Sequence, residues 1–417
     1  MSTSDILMLA AIAVVGFNLA FRFETLGGLV AIYVYAMFRL TATANPWLAA
    51  AVGLGIGLST IVPQMWFMLR FLKGKSVGLW LYLSLQPAVF LLLASLARNS
   101  HDLGVLAIPA IWWLLEYSRS EFGKLRFSWL IPGHALSAPF WSTLLGTGVY
   151  GFSFIALAGL SAMSFCTTSY GRAIVIMAAV FTMIAHEHRY QRSESLEAAG
   201  LMGEAGVEAD GVTLRFLSLE EVVQKLDHCK ALHPNAKLLV APEYMLAGSP
   251  PQEVLDWCRI NNRWLVIGGR HFLSDGSNFY NTAFVISPDG EMVFEQAKMV
   301  PIPTVPDGLP ALTQGLCWID DKPFGIAVCY DLQFGRVITP LVHAGAKAII
   351  VIAMDLEGWG PHEHRLQERW ARIVSRVYGV PVFRVVSSGK CQICVDGVEI
   401  ITSDPTGTIA GALPLND

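Results

Sequence analysis

Three residues in the second half of the chain have the types and the sequence neighbourhoods that acyl chemistry requires. Glu243 closes the apolar run KLLVAPE, Lys298 closes MVFEQAK, and Cys329 closes FGIAVC. A thiolate attacks a carbonyl carbon, a carboxylate takes the thiol proton, and an ammonium stabilises the oxyanion that forms. A nearby ammonium also favours the thiolate. Each residue alone has a plainer reading. A cysteine at a strand end is commonly a small core hydrophobe, a glutamate after proline a loop carboxylate, and a lysine after a hairpin a solvated charge. Their shared position at strand ends sets them apart, because α/β domains gather reactive groups at one edge of a sheet.

The surrounding pattern supplies such a sheet. SLEEVVQKLDHCKAL and PQEVLDWCRINN read as helices, each followed by an apolar strand, KLLVAPE and WLVIGGR. NTAFVISPDGEMVFEQAK reads as a hairpin turning at Pro-Asp-Gly, and CQICVDGVEI as one turning at Asp396-Gly397. The run AIIVIA lacks period-2 alternation, as expected of a strand covered on both faces. A long helix around 362–379 and the strand PVFRVVSS follow. Alternating strands and helices predict a layered α/β domain.

Other motifs carry less. No G-x-S-x-G occurs, so serine-hydrolase chemistry has no support. The pair Cys391 and Cys394 lies in an alternating strand, and the remaining cysteines are scattered without zinc-type spacing. HEH occurs at His186–His188 and His362–His364, but neither run has the H-E-x-x-H spacing, so no metal and no cofactor is expected. Gly53, Gly55 and Gly57 in GLGIG lie inside an apolar run and read as close helix packing rather than as a phosphate loop.

The first half of the chain is of another kind. Over all 417 residues, 53% are hydrophobic and 15% charged, with a mean hydropathy of +0.49. That is a membrane-protein composition, and a net charge of −4 gives no reason to expect a nucleic-acid partner. Seven apolar stretches precede residue 188: 6–21, 25–40, 47–69, 77–97, 103–117, 144–165 and 172–185. They predict about seven helical spans in a transmembrane domain over 1–187, with Trp47, Trp66, Trp80 and Trp129 near span ends. The first span lacks a basic leader and reads as a retained anchor. The polar, Gly/Ala-rich stretch 188–211 reads as a linker, and 212–417 as the catalytic domain.

LLVAPEYML, EQAKMVPIP and GIAVCYD resemble the Glu, Lys and Cys motifs of the nitrilase (carbon–nitrogen hydrolase) superfamily. AIPAIWWLLEYSR, FSWLIPGHALSAPF and GVYGFSFIALAG look like membrane spans of the apolipoprotein N-acyltransferase family, and MDLEGWGPHEH like its later site loop. The resemblance implies a multi-span α-helical membrane domain followed by an α-β-β-α nitrilase-like sandwich. It makes Glu243 the general base, Lys298 the oxyanion stabiliser and Cys329 the nucleophile, with Tyr330, Asp331, Asp355 and Trp359 on the substrate side. The implied reaction moves a fatty acyl chain from a membrane phospholipid, through a Cys329 thioester, to the α-amine of a diacylglyceryl-cysteine lipoprotein. The implied location is the bacterial inner membrane, with the catalytic domain in the periplasm.

The chain departs from the family pattern at several points. The stretch VPIPTVPDG has no glutamate where the family has VPFGE, and Asp307 is its nearest carboxylate. Met354 replaces an asparagine, and the family's last span has no counterpart after GALPLND. These departures leave two alternatives: a membrane-anchored amidase using water as acceptor, and a non-enzymatic accessory protein of the TraB conjugal-transfer type. Loop charge also opposes the implied topology. Arg22, Arg70, Lys73, Lys75, Arg119, Lys124 and Arg126 would lie outside, against Arg39, Arg98 and Arg172 inside.

Overall fold

The computed structural model describes residues 1–98, 104–123, 125–165, 192–202, 206–207, 214–303, 305–403 and 407–416. The chain divides into two compact units, Met1–Glu187 and His188–Asp417.

The first unit is helical. Its principal helices are α1 (Thr3–Arg22), α2 (Val30–Leu40), α3 (Pro46–Gln64), α4 (Lys75–Arg98), α5 (Gly104–Glu121) and α6 (Gly151–Phe165). Ser2 and Asp5 form a capping box at the start of α1, and Asn45 caps α3 ahead of Pro46. Helices α1, α3 and α4 are long and apolar enough to cross a membrane.

Within the described residues the other predicted stretches take different forms. The 25–40 stretch breaks into a 3-10 turn, Glu24–Leu29, and the 11-residue α2, about half the length a bilayer core needs. Helix α5 has 18 residues but buries Glu116 and Arg119. The 144–165 stretch is α-helical only from Gly151, and 172–185 lies outside the described residues. The glycine run acts as packing, one turn apart on one face. A Cβ on Gly53 would lie 2.5 Å from Pro87 O, and one on Gly57 2.7 Å from Ser84 O, so α3 and α4 meet backbone to backbone. Gly55 faces open space.

The second unit is a two-sheet sandwich. The strands of its two six-stranded sheets are β1 (Arg192–Leu201), β2 (Leu238–Val240), β3 (Trp264–Phe272), β4 (Phe279–Ile286), β5 (Met292–Ala297), β6 (Leu316–Ile319), β7 (Lys322–Val328), β8 (Ala348–Ala353), β9 (Val382–Val386), β10 (Gln392–Val395), β11 (Val398–Thr402) and β12 (Thr408–Asn416). One sheet runs β12-β1-β2-β3-β4-β5 and the other β11-β10-β9-β8-β7-β6. Leu238, Val240, Val266, Ile326, Val328, Ile350, Ile352, Phe383 and Val385 share the core between them. Helices α7 (Leu219–Leu232) and α8 (Gln252–Asn261) cover the outside of the first sheet, where Val222, Leu226 and Trp257 pack on Leu239, Leu265 and Ile267. Helices α9 (Gly335–His343) and α10 (Pro361–Tyr378) pack on the second. The run AIIVIA is β8, buried throughout and paired in parallel with β7 and β9.

The linker reading of 188–211 is corrected by β1, which pairs antiparallel with β12 and parallel with β2. Its small residues follow from the spacing of the sheets rather than from flexibility. A Cβ on Gly200 would lie 2.6 Å from Val385 Cγ2 and 2.8 Å from Ile409 Cγ2. The substitution Gly200→Val therefore overpacks the sandwich core and destabilises the domain by about 1–3 kcal/mol. Thermal unfolding of the purified protein will show a lower midpoint for Gly200→Val and an unchanged one for Gly55→Ala.

Candidate active site

The site is built where strands of both sheets end. Beyond β2 the chain runs on beside β3: Ala241 N donates to Val266 O at 2.7 Å and Gly268 N to Pro242 O at 3.2 Å. Gly268 lets Glu243 come this close, because a Cβ there would meet Glu243 Cα at 2.6 Å. Lys298 follows β5, and its backbone N donates to Asn281 O at 2.8 Å. Cys329 follows β7 and opens the 3-10 turn Cys329–Gln333. Its φ of +52° lies in the left-handed region, which costs a side-chain-bearing residue about 1 kcal/mol or more and here turns the chain sharply at the thiol.

These side chains meet in a closed polar centre. Lys298 Nζ lies 2.9 Å from Glu243 Oε1 and 2.8 Å from Asp307 Oδ2, with side-chain exposures of 1%, 2% and 4% for Lys298, Glu243 and Asp307. Asn281 Nδ2 donates to Glu243 Oε1 at 2.6 Å and to Asp307 Oδ1 at 2.8 Å. Met354 N donates to Glu243 Oε2 at 2.8 Å. Asp307 also accepts from Tyr244 OH at 2.9 Å and from Ile302 N at 2.8 Å. A carboxylate thus stands beside the lysine although the family's glutamate motif is missing. Asp307 is followed by Gly308, whose φ is +83°.

The other predicted substrate-side residues have different surroundings. Asp331 accepts from Met299 N at 3.0 Å, Val300 N at 2.7 Å and Val328 N at 3.3 Å, so it ties the segment after Lys298 to the cysteine turn. Burial pushes its carboxyl up to about 6, against the pull of those donors and of Lys298. Tyr330 is buried with Val300, Phe334 and Val337, its ring edge-on to Phe334 at 5.0 Å. Asp355 forms a buried ion pair with Arg384. Trp359 is half-buried in the turn Glu357–Trp359 before α10. Among the described residues no cluster of three His, Cys, Asp or Glu side chains is arranged to hold a metal ion, and His186 and His188 lie outside them.

Charge and burial define what the site can do. Burial, then the neighbouring Glu243 carboxylate, hold the Cys329 thiol well above its ordinary range, while Lys298 pulls it down. The resting group is therefore a thiol that needs a base. Burial also raises Glu243, with Asp307 adding to the rise against Lys298 and Asn281. A raised carboxylate is better matched to accepting and returning a proton near neutral pH. Burial lowers Lys298, but Asp307 and Glu243 more than reverse this, so it stays an ammonium.

The sign of the pH dependence follows. A Glu243 carboxylate that accepts the thiol proton would be competent above its raised pKa and lost as the pH falls through it. Cys329 alkylation by iodoacetamide, followed by peptide mass spectrometry, will rise with pH through a midpoint above the usual carboxylate range. Glu243→Gln will remove that limb and slow alkylation at neutral pH by about 10²-fold or more.

Residues 215–409 match the family model for carbon–nitrogen hydrolases. Formamidases of Bacillus thuringiensis (strain Al Hakam) and Bacillus cereus (strain AH820) are each 26% identical over 157 residues, covering 32% of this chain and 46% of the relative. The chain thus spans about half the length of these curated relatives. Similar solved structures include Saccharomyces cerevisiae Nit3, of the nitrilase superfamily (18% identity, 54% of this chain and 91% of that one, TM-score 0.44). Another is an amidase from Nesterenkonia sp. (15% identity, 54% and 92%, TM-score 0.43). The C-terminal part of the chain is thus similar to carbon–nitrogen hydrolase domains over residues 215–409.

Proposed function

We propose that the protein is a cysteine acyltransferase that takes a fatty acyl chain from a membrane phospholipid as a Cys329 thioester. It passes the chain to the α-amine of a diacylglyceryl-cysteine lipoprotein. The observation that carries the chemical part is the Lys298 ammonium, fixed between Glu243 and Asp307 beside a thiol at a sharp turn. In the first half-reaction Glu243 takes the thiol proton as sulfur attacks the ester carbonyl. Lys298 stabilises the oxyanion, and the proton returns to the departing lysophospholipid oxygen. In the second, the acceptor amine attacks the thioester, Glu243 takes its proton, and as the C–S bond breaks that proton returns to the Cys329 sulfur. Three helices long and apolar enough to cross a membrane support a lipid donor.

The formamidase relatives favour a second reading, in which a small amide replaces the phospholipid as acyl donor, its nitrogen leaving as ammonia or an amine, and water replaces the lipoprotein amine as acceptor. Product analysis separates the two. The protein is incubated with phospholipid vesicles labelled in the acyl chain, with and without a diacylglyceryl-cysteine peptide. The proposal predicts labelled N-acyl peptide and little free fatty acid. Free acid formed regardless of the peptide, or turnover of formamide alone, supports the hydrolase. No turnover of any of them leaves the non-enzymatic accessory reading. Lys298→Met will lower the observed turnover by about 10²–10³-fold.

The proposal places the second unit in the periplasm, against the loop-charge bias. A C-terminal alkaline phosphatase fusion will be active in intact bacteria, whereas activity of a cytoplasm-dependent reporter at the same position contradicts the placement.

A further inference from the structure

The Glu243 carboxylate is held on one side by Lys298 and Asn281, but its second oxygen depends on a single backbone donor, Met354 N, at 2.8 Å. Met354 lies just past β8 and is half-buried, so its side chain does not anchor it in the core. The next residue is anchored. Asp355 N donates to Ser387 Oγ at 3.1 Å, and Ser387 Oγ donates to Asp355 O at 2.8 Å. The Asp355 carboxylate pairs with Arg384 Nη2, and Arg384 Nη1 donates to Lys390 O at 3.2 Å. Asp355, Ser387 and Arg384 are each 2% exposed or less. β8 and β9 also join here, as Ser387 N donates to Ala353 O at 3.2 Å.

We infer that the Arg384–Asp355 pair and the Ser387 hydroxyl form a clasp whose purpose is to fix the Met354 N–H on Glu243, which makes Arg384 and Ser387 positioning residues for the base. Two physical points support this. A buried ion pair is at best a weak stabiliser relative to an apolar replacement, so its presence under a reactive centre calls for a positional role. A backbone N–H donated to a carboxylate favours the ionised form, and its loss disfavours it. The pair also keeps the Asp355 charge, which bears on the Cys329 thiol, matched by a cation. The charged and titratable groups around Glu243 are Lys298, Asp307, Tyr244, Cys329 and Asp355. Around the clasp itself, Asp355 and Arg384 also face Glu363 and Glu368 of α10.

The inference rests on Glu243 acting as the base for Cys329, and the experiment separates the two claims. Iodoacetamide alkylation of Cys329 in the full-length protein is followed against pH by peptide mass spectrometry. In each event the S–C bond forms, iodide leaves, and the thiol proton passes to Glu243. Ser387→Ala removes no charge and will move the midpoint upward by about half to one pH unit, the equivalent of one hydrogen bond to the carboxylate. Arg384→Ala will move it further, and millimolar guanidinium will restore it in part. If Arg384→Ala does not fold, Ser387→Ala decides alone. A lowered thermal midpoint with an unmoved pH profile in Ser387→Ala marks a merely structural clasp and overturns the inference. If Glu243→Gln itself keeps the wild-type profile, the base assignment fails instead.

Discussion

One buried ammonium organises the second unit. Lys298 is almost fully removed from water, and a lone cation there would be neutralised or expelled. It is kept charged by two carboxylates, Glu243 and Asp307, which would repel each other without it. Removing one partner of such a buried pair typically costs about 3–5 kcal/mol. Asn281 bridges both carboxylates with one amide nitrogen. The centre thus holds one cation, two anions and a neutral thiol. Burial, and after it the excess negative charge, raise Glu243 and keep the thiol protonated.

The fold provides the dry, rigid frame that this cluster requires. Four strands of two sheets feed it: β2 brings Glu243, β5 Lys298, β7 Cys329 and β8 the Met354 amide. Close approach is permitted by glycine at Gly268, and the sharp turns are taken by residues with positive φ at Tyr244, Gly308 and Cys329. Asp331 joins two of the four arms by accepting from Val300 and Val328. The acid–base chemistry and the strain at Cys329 are therefore properties of the assembled sandwich, not of any one loop.

Much of this was legible in the sequence where the signal is local. The apolar runs ending at Glu243, Lys298 and Cys329, the Pro-Asp-Gly and Asp-Gly turns, and the unalternating AIIVIA follow from period and turn chemistry alone. What was not legible depends on distant partners. β1 looked like a linker because small residues mark both flexibility and tight sheet packing, and only Val385 across the core and Ile409 on the paired strand distinguish the two. Asp307 could be named only as the nearest carboxylate, because nothing in VPDG reveals that its side chain reaches the lysine. Asn281 and Arg384 sit inside strands, where a polar side chain gives no sign of what it faces. The Gly-Gly of WLVIGGR was the one local hint that another chain segment passes close by. Among the helices, 25–40 was read as one span because hydropathy does not register a 3-10 break.

The central claim is that this cluster makes Cys329 an acyl-accepting nucleophile. Tandem mass spectrometry of the protein, quenched in acid after exposure to phospholipid vesicles without an acceptor, tests it most directly. A fatty acyl mass on the Cys329 peptide, removed by neutral hydroxylamine and absent from Cys329→Ser, is the result the account predicts. An unmodified Cys329 peptide after exposure to phospholipid, and likewise after exposure to small amides, would contradict it.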